Sequence, residues 1–409
     1  MNDIPQMIED ESIDCPDLLC GGTPCQAFSL AGWKNGLNDD RGQLTLKYID
    51  ILNAIDEKRL ALKESRAAFM WENVEGVLKD KTNAFGFFLA GLLDLNNPIQ
   101  CPKWPNAGCI FGKKRNIAWR ILDAKFFGVP QQRKRLYVVG GGKDFNPFSV
   151  LFELGDILLD PLQSTMKKGA VPTLFDDSVV EERALSAIKC GHEIEVFRQY
   201  SDCLYAAYGT KWNGNAASFN GSLFVCQDSR VRRLTPKECE RLMGFPDDYT
   251  NISPSVRVTN RYQAIGNSWA VPVVSWVMDR IINQSSSEFL PPKDLIAQRS
   301  DSFDLYFFDN FVACSHYWIN ASTYPYDFKL AHMLDIVDTE VDEKYYLSPA
   351  GCAGILRRSI ERNAGINERL KYHLINGCKA SHDLVIVRNG LKPISEFFDS
   401  DIGLSVKLF

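Results

Sequence analysis

No apolar run in this 409-residue chain approaches the roughly 18 residues needed to span a bilayer, because Asp, Pro or Gly interrupts every candidate. That excludes a helical membrane anchor within it, and a soluble cytoplasmic protein with no membrane partner is expected. Cysteine is present twelve times but never as a CxxC pair, and no hydrophobic leader precedes it. A disulfide framework is therefore not expected, nor a metal, and free thiols in a reducing compartment are. Surplus positive charge is also lacking: Lys and Arg total 46 against 51 Asp and Glu, for a net charge of -5. A nucleic-acid partner would have to be met by local clusters. Arg230, Arg232, Arg233, Lys237 and Arg241 form one such cluster, and Lys125, Arg133, Lys134 and Arg135 another. Each reads equally well as a solvated face. Internal repeats are absent.

What is present is length and globular composition, 45% apolar and 24% charged, enough for two or three domains. Over the first 145 residues, short apolar runs alternate with amphipathic stretches, the pattern of an open α/β sheet. Asp17 to Cys20 reads as a strand ending at Gly21-Gly22. Residues 43 to 57 carry Leu44, Leu46, Ile49, Ile51, Leu52 and Ile55 at helical spacing. Ala67 to Trp71 reads as a buried strand ending at Glu72-Asn73, residues 85 to 93 as a crossover helix, and 119 to 122 and 135 to 139 as further strands. From about 141 to 227 the pattern breaks into turn-rich polar segments. Regularity returns with a helix over residues 235 to 243, opened by Thr235 as N-cap, Pro236 at the first helical position and Glu238 three residues on. Another helix follows Pro272. Ser285-Ser286-Ser287 through Pro291-Pro292 reads as a linker, with an Arg-bearing helix near residues 355 to 361 beyond it.

Catalytic side chains in such sheets stand at the carboxyl ends of strands, where Cys25 and Glu72 both fall. Thr23-Pro24-Cys25-Gln26 follows a strand and two glycines, so the thiol sits on a tight turn, though a lone cysteine is also a common small hydrophobe. A buried carboxyl at Glu72, in its protonated form, donates a hydrogen bond to a ring nitrogen. The same residue alone reads as a helix N-cap. Arg133 and Arg135, two apart on a strand, are expected to aim to one side and suit a phosphate or an anionic intermediate, or simply to be surface charge.

Together these motifs resemble the cytosine-5 DNA methyltransferase family over most of residues 1 to 280. Pro24-Cys25-Gln26 matches the family's nucleophile motif, Glu72-Asn73-Val74 its cytosine-binding motif, and Gln131 to Arg135 its QxRxR strand. Arg232 to Pro246 is similar to the motif framing the target-recognition domain, and Arg261 to Ser268 to the last motif, whose Gly266-Asn267 pair closes over the cofactor. The stretch from Tyr346 to Arg358 is similar to C-terminal extensions on phage and prophage members. The resemblance implies a Rossmann-like α/β methyltransferase sheet, S-adenosyl-L-methionine as methyl donor, and double-stranded DNA as partner, in restriction-modification or phage self-protection. Cys25, Glu72, Arg133 and Arg135 become the catalytic candidates. Asp3, Pro24, Leu44 and Asn267 become the donor contacts. Gln26, Ser29, Asn73, Lys211, Trp212, Asn213, Arg230 and Arg232 become candidate DNA contacts, with Asn215 and Asn220 beside them.

The implied domains are 1–145, the first part of the catalytic sheet; 146–229, the target-recognition domain; 230–285, returning to the catalytic domain; and 286–409, a linker and C-terminal accessory unit. One family feature is missing. The opening strand with its FxGxG turn does not occur, and Met1-Asn2-Asp3-Ile4 is similar to the family's third motif instead. The sheet is thus expected to be incomplete at its N-terminus, in a truncated or split enzyme whose second chain supplies the missing strands. Two alternatives are a DNA-binding remnant without catalysis and the transfer-RNA branch of the family. That branch shares Pro-Cys-Gln and Glu-Asn-Val but carries a Cys-Phe-Thr signature absent here.

Overall fold

The computed structural model describes residues 4–23, 42–156, 184–209, 219–283, 290–314, 317–379, 384–387 and 390–393. The chain divides into two compact units. The first comprises residues 1–123, 134–164 and 273–328, and the second 124–133, 165–272 and 329–409.

The first unit begins with α1 (Ile4–Glu9), β1 (Leu18–Gly22) and α2 (Gly42–Ala61), then β2 (Ala68–Val74) and α3 (Ala84–Leu93). In α2, Tyr48, Leu52 and Ile55 recur at i, i+4 and i+7 and are buried, as helical periodicity requires of a face laid on a sheet. Helix α3, AFGFFLAGLL, is apolar all round and almost wholly buried. Its Phe88 packs on Trp71 of β2 with ring centroids 4.2 Å apart. Next come β3 (Ala107–Gly112), β4 (Asn116–Asp123), β5 (Lys134–Gly141), the short α4 (Pro147–Leu151) and β6 (Glu153–Asp156).

The second unit holds a four-stranded antiparallel sheet of β7 (Leu185–Lys189), β8 (His192–Val196), β9 (Phe224–Gln227) and β10 (Arg230–Arg233). Helix α5 (Pro236–Met243) follows with the expected cap: Thr235 Oγ1 accepts from the Glu238 amide, and the Glu238 carboxylate accepts from the Thr235 amide. It ends at Gly244, whose φ of 80° belongs to the left-handed region. Helix α6 (Val258–Asn267) completes this stretch.

The chain then re-enters the first unit through α7 (Val271–Ile282), β11 (Ile296–Arg299), β12 (Phe303–Phe308), β13 (Phe311–Ala313) and β14 (Tyr317–Asn320). The main sheet has seven strands in the order β1-β2-β5-β4-β3-β12-β11. β1 and β2 are parallel, while β2/β5, β5/β4, β4/β3, β3/β12 and β12/β11 are antiparallel. Residues 296–308, expected in an accessory unit, are instead part of this sheet, with Phe303 in register with Gly112. Three apolar or aromatic residues at 303, 305 and 306 explain the insertion, since their side chains are buried against the sheet's core.

The last elements lie in the second unit: α8 (Met333–Ile336), α9 (Pro349–Glu361), α10 (Glu368–Lys379) and the hairpin β15 (Leu384–Val387) and β16 (Gly390–Pro393). They too are not a separate appendix. Ile355, Leu356, Leu370 and Leu374 share one apolar core with Phe197, Phe224 and Val231 from the four-stranded sheet and its approach.

Candidate functional site

Asp3, Pro24, Cys25, Gln26, Ser29, Lys211, Trp212, Asn213 and Asn215 lie outside the described residues. The structure does place the main chain that leads to the thiol. In the parallel β1/β2 pair, Gly22, the last residue of β1, is in register with Glu72, two residues before β2 ends. Thr23, the next residue, is tied to β2 twice: its carbonyl accepts from Asn73 Nδ2 at 2.9 Å, and its hydroxyl accepts from the Trp71 indole N–H at 3.1 Å. The same hydroxyl lies 2.8 Å from that of Thr45 on α2. A second brace stands one turn along that helix, where the Tyr48 hydroxyl donates to the carbonyls of Met70 at 3.0 Å and Leu19 at 3.3 Å. Burial pushes that phenol well above its ordinary range, so it stays a donor. A Cβ at Gly21 would meet the Tyr48 ring at 3.0 Å, which explains a small residue there.

Glu72, two residues before the end of β2, is 9% exposed. Arg135 on β5 brings its Nε to 3.1 Å from Glu72 Oε1, joining two of the catalytic candidates. A guanidinium in that position holds the carboxyl group's orientation in a site that water scarcely reaches.

Asn73 departs from its expected role as a DNA contact. It is 4% exposed, with its amide on the Thr23 carbonyl and its Oδ1 accepting from the Val74 amide at 2.8 Å. It shapes the turn after β1.

Arg133 also differs from expectation. β5 begins at Lys134, so Arg133 precedes the strand, and the alternation that would aim it alongside Arg135 does not apply. In the second unit its guanidinium donates to the carbonyls of Leu204 at 3.2 Å and Ser268 at 2.8 Å. Its neighbour Gln131 is fully buried, donating to the Leu242 carbonyl and accepting from the Leu204 amide. Arg133 thus braces main chain of the last motif, within which a Cβ at Gly266 would come within 2.5 Å of Ala206 N.

Of the donor contacts expected, Leu44 is 47% exposed in the first turn of α2, and Asn267 ends α6 as an exposed residue.

Arg232 is a correction. It is fully buried and grips Glu238 with two hydrogen bonds of 2.9 and 2.8 Å, while its Nε donates to Gln227. No surface of it is left for DNA. Two residues back on β10, Arg230 is exposed; it pairs with Glu343 and lies over the Tyr346 ring, 4.3 Å from the centroid. Asn220 serves its own loop, donating to Asp202 and accepting from the Ser222 amide. Thr23, Thr45 and Trp71 were not singled out from sequence. Thr23 had a signal in standing directly before Pro24-Cys25, whereas Thr45, 22 positions away, had none.

A family profile described as "C-5 cytosine-specific DNA methylase" matches residues 1–283. Among curated relatives, one from Escherichia phage P1, "DNA N-6-adenine-methyltransferase", is 32% identical over 397 residues, covering 66% of this chain and 53% of the relative. "Type II methyltransferase M.SsoII" of Shigella sonnei is 32% identical over 293 residues, covering 68% and 67% respectively. "Type II methyltransferase M.HhaI" of Haemophilus parahaemolyticus is 26% identical over 302 residues, covering 71% and 82%. The chain thus spans about half the length of the phage P1 relative.

Proposed function

The chain belongs to the C-5 cytosine-specific DNA methylase family, and on that premise we propose that it methylates C5 of cytosine in double-stranded DNA, with S-adenosyl-L-methionine as donor, in restriction-modification or phage self-protection. The observation that carries this reading is the shared level of Gly22 and Glu72. It brings the main chain three residues ahead of Cys25 beside a buried carboxyl group that is itself paired with Arg135.

Cytosine C5 is a poor nucleophile, so a thiolate must first add to C6 and drive electron density onto C5. Cys25, in the Pro24-Cys25-Gln26 motif, is assigned this attack. Glu72 hydrogen-bonds the N3 edge of the ring and stabilises charge as it develops there. Arg135 keeps that carboxyl group aimed, and Gln131 and Arg133 hold the segments around Leu204 and Ser268. The donor, when bound, supplies an electrophilic methyl group. Because C6 is inaccessible in a duplex, the base must leave the stack at a cost of a few kcal/mol. β1 borders the main sheet, and a strand from a second chain pairing along it is part of this proposal.

The name of the phage P1 relative points to N6 of adenine instead. Transfer to an exocyclic amine needs no nucleophile at C6, so Pro24-Cys25-Gln26 and Glu72 favour cytosine. The test is to incubate the chain with duplex DNA and methyl-labelled donor, digest the DNA, and separate the nucleosides, with Cys25→Ser alongside. Label in 5-methylcytosine that disappears with Cys25→Ser is expected. Label in N6-methyladenine, or label in cytosine indifferent to Cys25, overturns the proposal.

A further inference from the structure

The hydroxyl of Thr23 occupies an unusual place. It is held by a fully buried indole from β2 and by a hydroxyl from α2 that is itself 1% exposed. Trp71 Nε1 can only donate, so the Thr23 oxygen is the acceptor and its own hydrogen remains available for Thr45. The two threonines stand on either side of residues 24 to 44 in sequence, and their contact ties the chain before that segment to the helix after it. Neither neighbour is free to drift. Trp71 is wedged against Phe88, and α2 is pinned one turn later by Tyr48.

We propose that Thr23 is a positioning residue for the Cys25 nucleophile: its hydroxyl, shared between the Trp71 indole and the Thr45 hydroxyl, fixes the main chain two residues ahead of the thiol. The inference rests on the reading of Cys25 given above. A valine at position 23 has nearly the same shape but no oxygen, so it leaves a buried indole N–H and a buried hydroxyl without this partner. The start of the thiol segment then loses its lateral restraint. Misplacement of a reacting group by about 1 Å costs on the order of a hundredfold in rate.

The experiment reads the attack of Cys25 without calling on the donor. Duplex DNA carrying tritium at cytosine C5 is incubated with the full chain, and tritium release into water is followed. Addition of the thiolate to C6 places an electron pair on C5, which takes a proton from water. Loss of the C5 tritium as a cation then restores the double bond and expels the thiolate, so thiol and base are regenerated. Thr23→Val is expected to slow release by about ten- to a hundredfold, with unchanged DNA affinity and a melting temperature lowered by no more than a few degrees. Thr23→Ser, which keeps the hydroxyl, should recover most of the rate. Thr45→Val should slow it less than Thr23→Val, and the double variant should cost less than the product of the two, because both act through one oxygen.

A Thr23→Val chain that melts and exchanges like the unmutated one, while Cys25→Ser is silent, overturns the positioning role and leaves the nucleophile intact. Tritium release that survives Cys25→Ser, or none from the unmutated chain bound to DNA, overturns the reading on which the proposal stands. If Thr23→Val melts early, the outcome is decided by Thr23→Ser and Thr45→Val: both exchanging as fast as the unmutated chain argues against the proposal.

Discussion

Arg232 and Glu238 face each other with no solvent-exposed side-chain surface on either, the Arg232 Nη2 lying 2.8 Å from Glu238 Oε1. The same carboxylate accepts from the amides of Thr235 and Asp338, so one buried charge joins the strand, the helix cap and the 338 segment. Removing the guanidinium strands that carboxylate. Arg232→Ala is therefore expected to destabilise the second unit by about 3–5 kcal/mol, seen as an early transition in a thermal or urea melt. A variant that melts normally and loses only DNA affinity would return Arg232 to the DNA-facing role the sequence suggests.

Glu72 and Arg135 make the corresponding pair in the first unit, but at the proposed site of chemistry. Glu72→Gln keeps the size of the side chain and its place near the end of β2 while changing what it can offer the ring. Turnover is expected to fall by about 10²–10³-fold, with DNA affinity little changed, in single-turnover assays under saturating donor. Wild-type turnover in Glu72→Gln would remove Glu72 from the reaction. Arg135→Gln should lower both turnover and stability, since it takes the counter-charge from a carboxyl group that is 9% exposed.

Much of this was legible in the sequence because the signals were local. The helical spacing of Leu44, Ile51, Leu52 and Ile55 marks α2, and Thr235, Pro236 and Glu238 mark the start of α5 within four residues. The glycine pair at the end of β1 and the acidic residue near the end of β2 mark where those strands stop. What was not legible is pairing across long separations. Nothing near Phe303 states that it will lie beside Gly112, and nothing near Thr45 states that its hydroxyl meets Thr23. Arg232 and Arg230 show the same limit in small. Two residues apart on one face of β10, they look alike in sequence, yet one is fully buried and the other open, because only the fold brings Glu238 onto Arg232 and leaves Arg230, at the start of the strand, beside exposed Glu343.

The C-terminal helices carry a pH-sensitive tie to the four-stranded sheet. Glu195 on β8 accepts from Arg369 Nε at 2.7 Å and Nη2 at 2.9 Å, and lies 2.9 Å from His373 Nε2. Burial works to raise its pKa, but the hydrogen bonds from Arg369 and His373 outweigh it and hold the carboxyl below its ordinary 4.5. A carboxylate whose folded pKa is depressed contributes stability that is present above the unfolded value and is lost as pH falls through the folded one. The stability difference between the unmutated chain and Glu195→Gln should therefore be largest above pH 4.5 and shrink below it. Urea melts of both proteins in steps through the acid range measure this. A difference that is flat across that range would show that the carboxylate's charge adds nothing.

Gly86 gives the last prediction, and its sign runs against helix propensity. It sits in the first turn of α3, at a helical position where replacing glycine by alanine ordinarily stabilises by about 0.5–1 kcal/mol. Here a Cβ would lie 2.2 Å from the Ile99 carbonyl oxygen and 2.5 Å from Asn83 Nδ2. The first is backbone, and the second belongs to a side chain already committed at both ends: Asn83 donates to that same carbonyl and accepts from the Trp104 indole N–H. Neither can yield without breaking these bonds or moving Trp104, which packs edge-on against Phe85 and Trp119. Gly86→Ala is accordingly expected to destabilise the first unit by about 1–3 kcal/mol, with Trp fluorescence shifting in the native state as the Trp104 environment loosens. A more stable variant with an unchanged emission spectrum would mean that the helix can slide away from residue 99, and that the close approach at Gly86 is not what sets its place on the sheet.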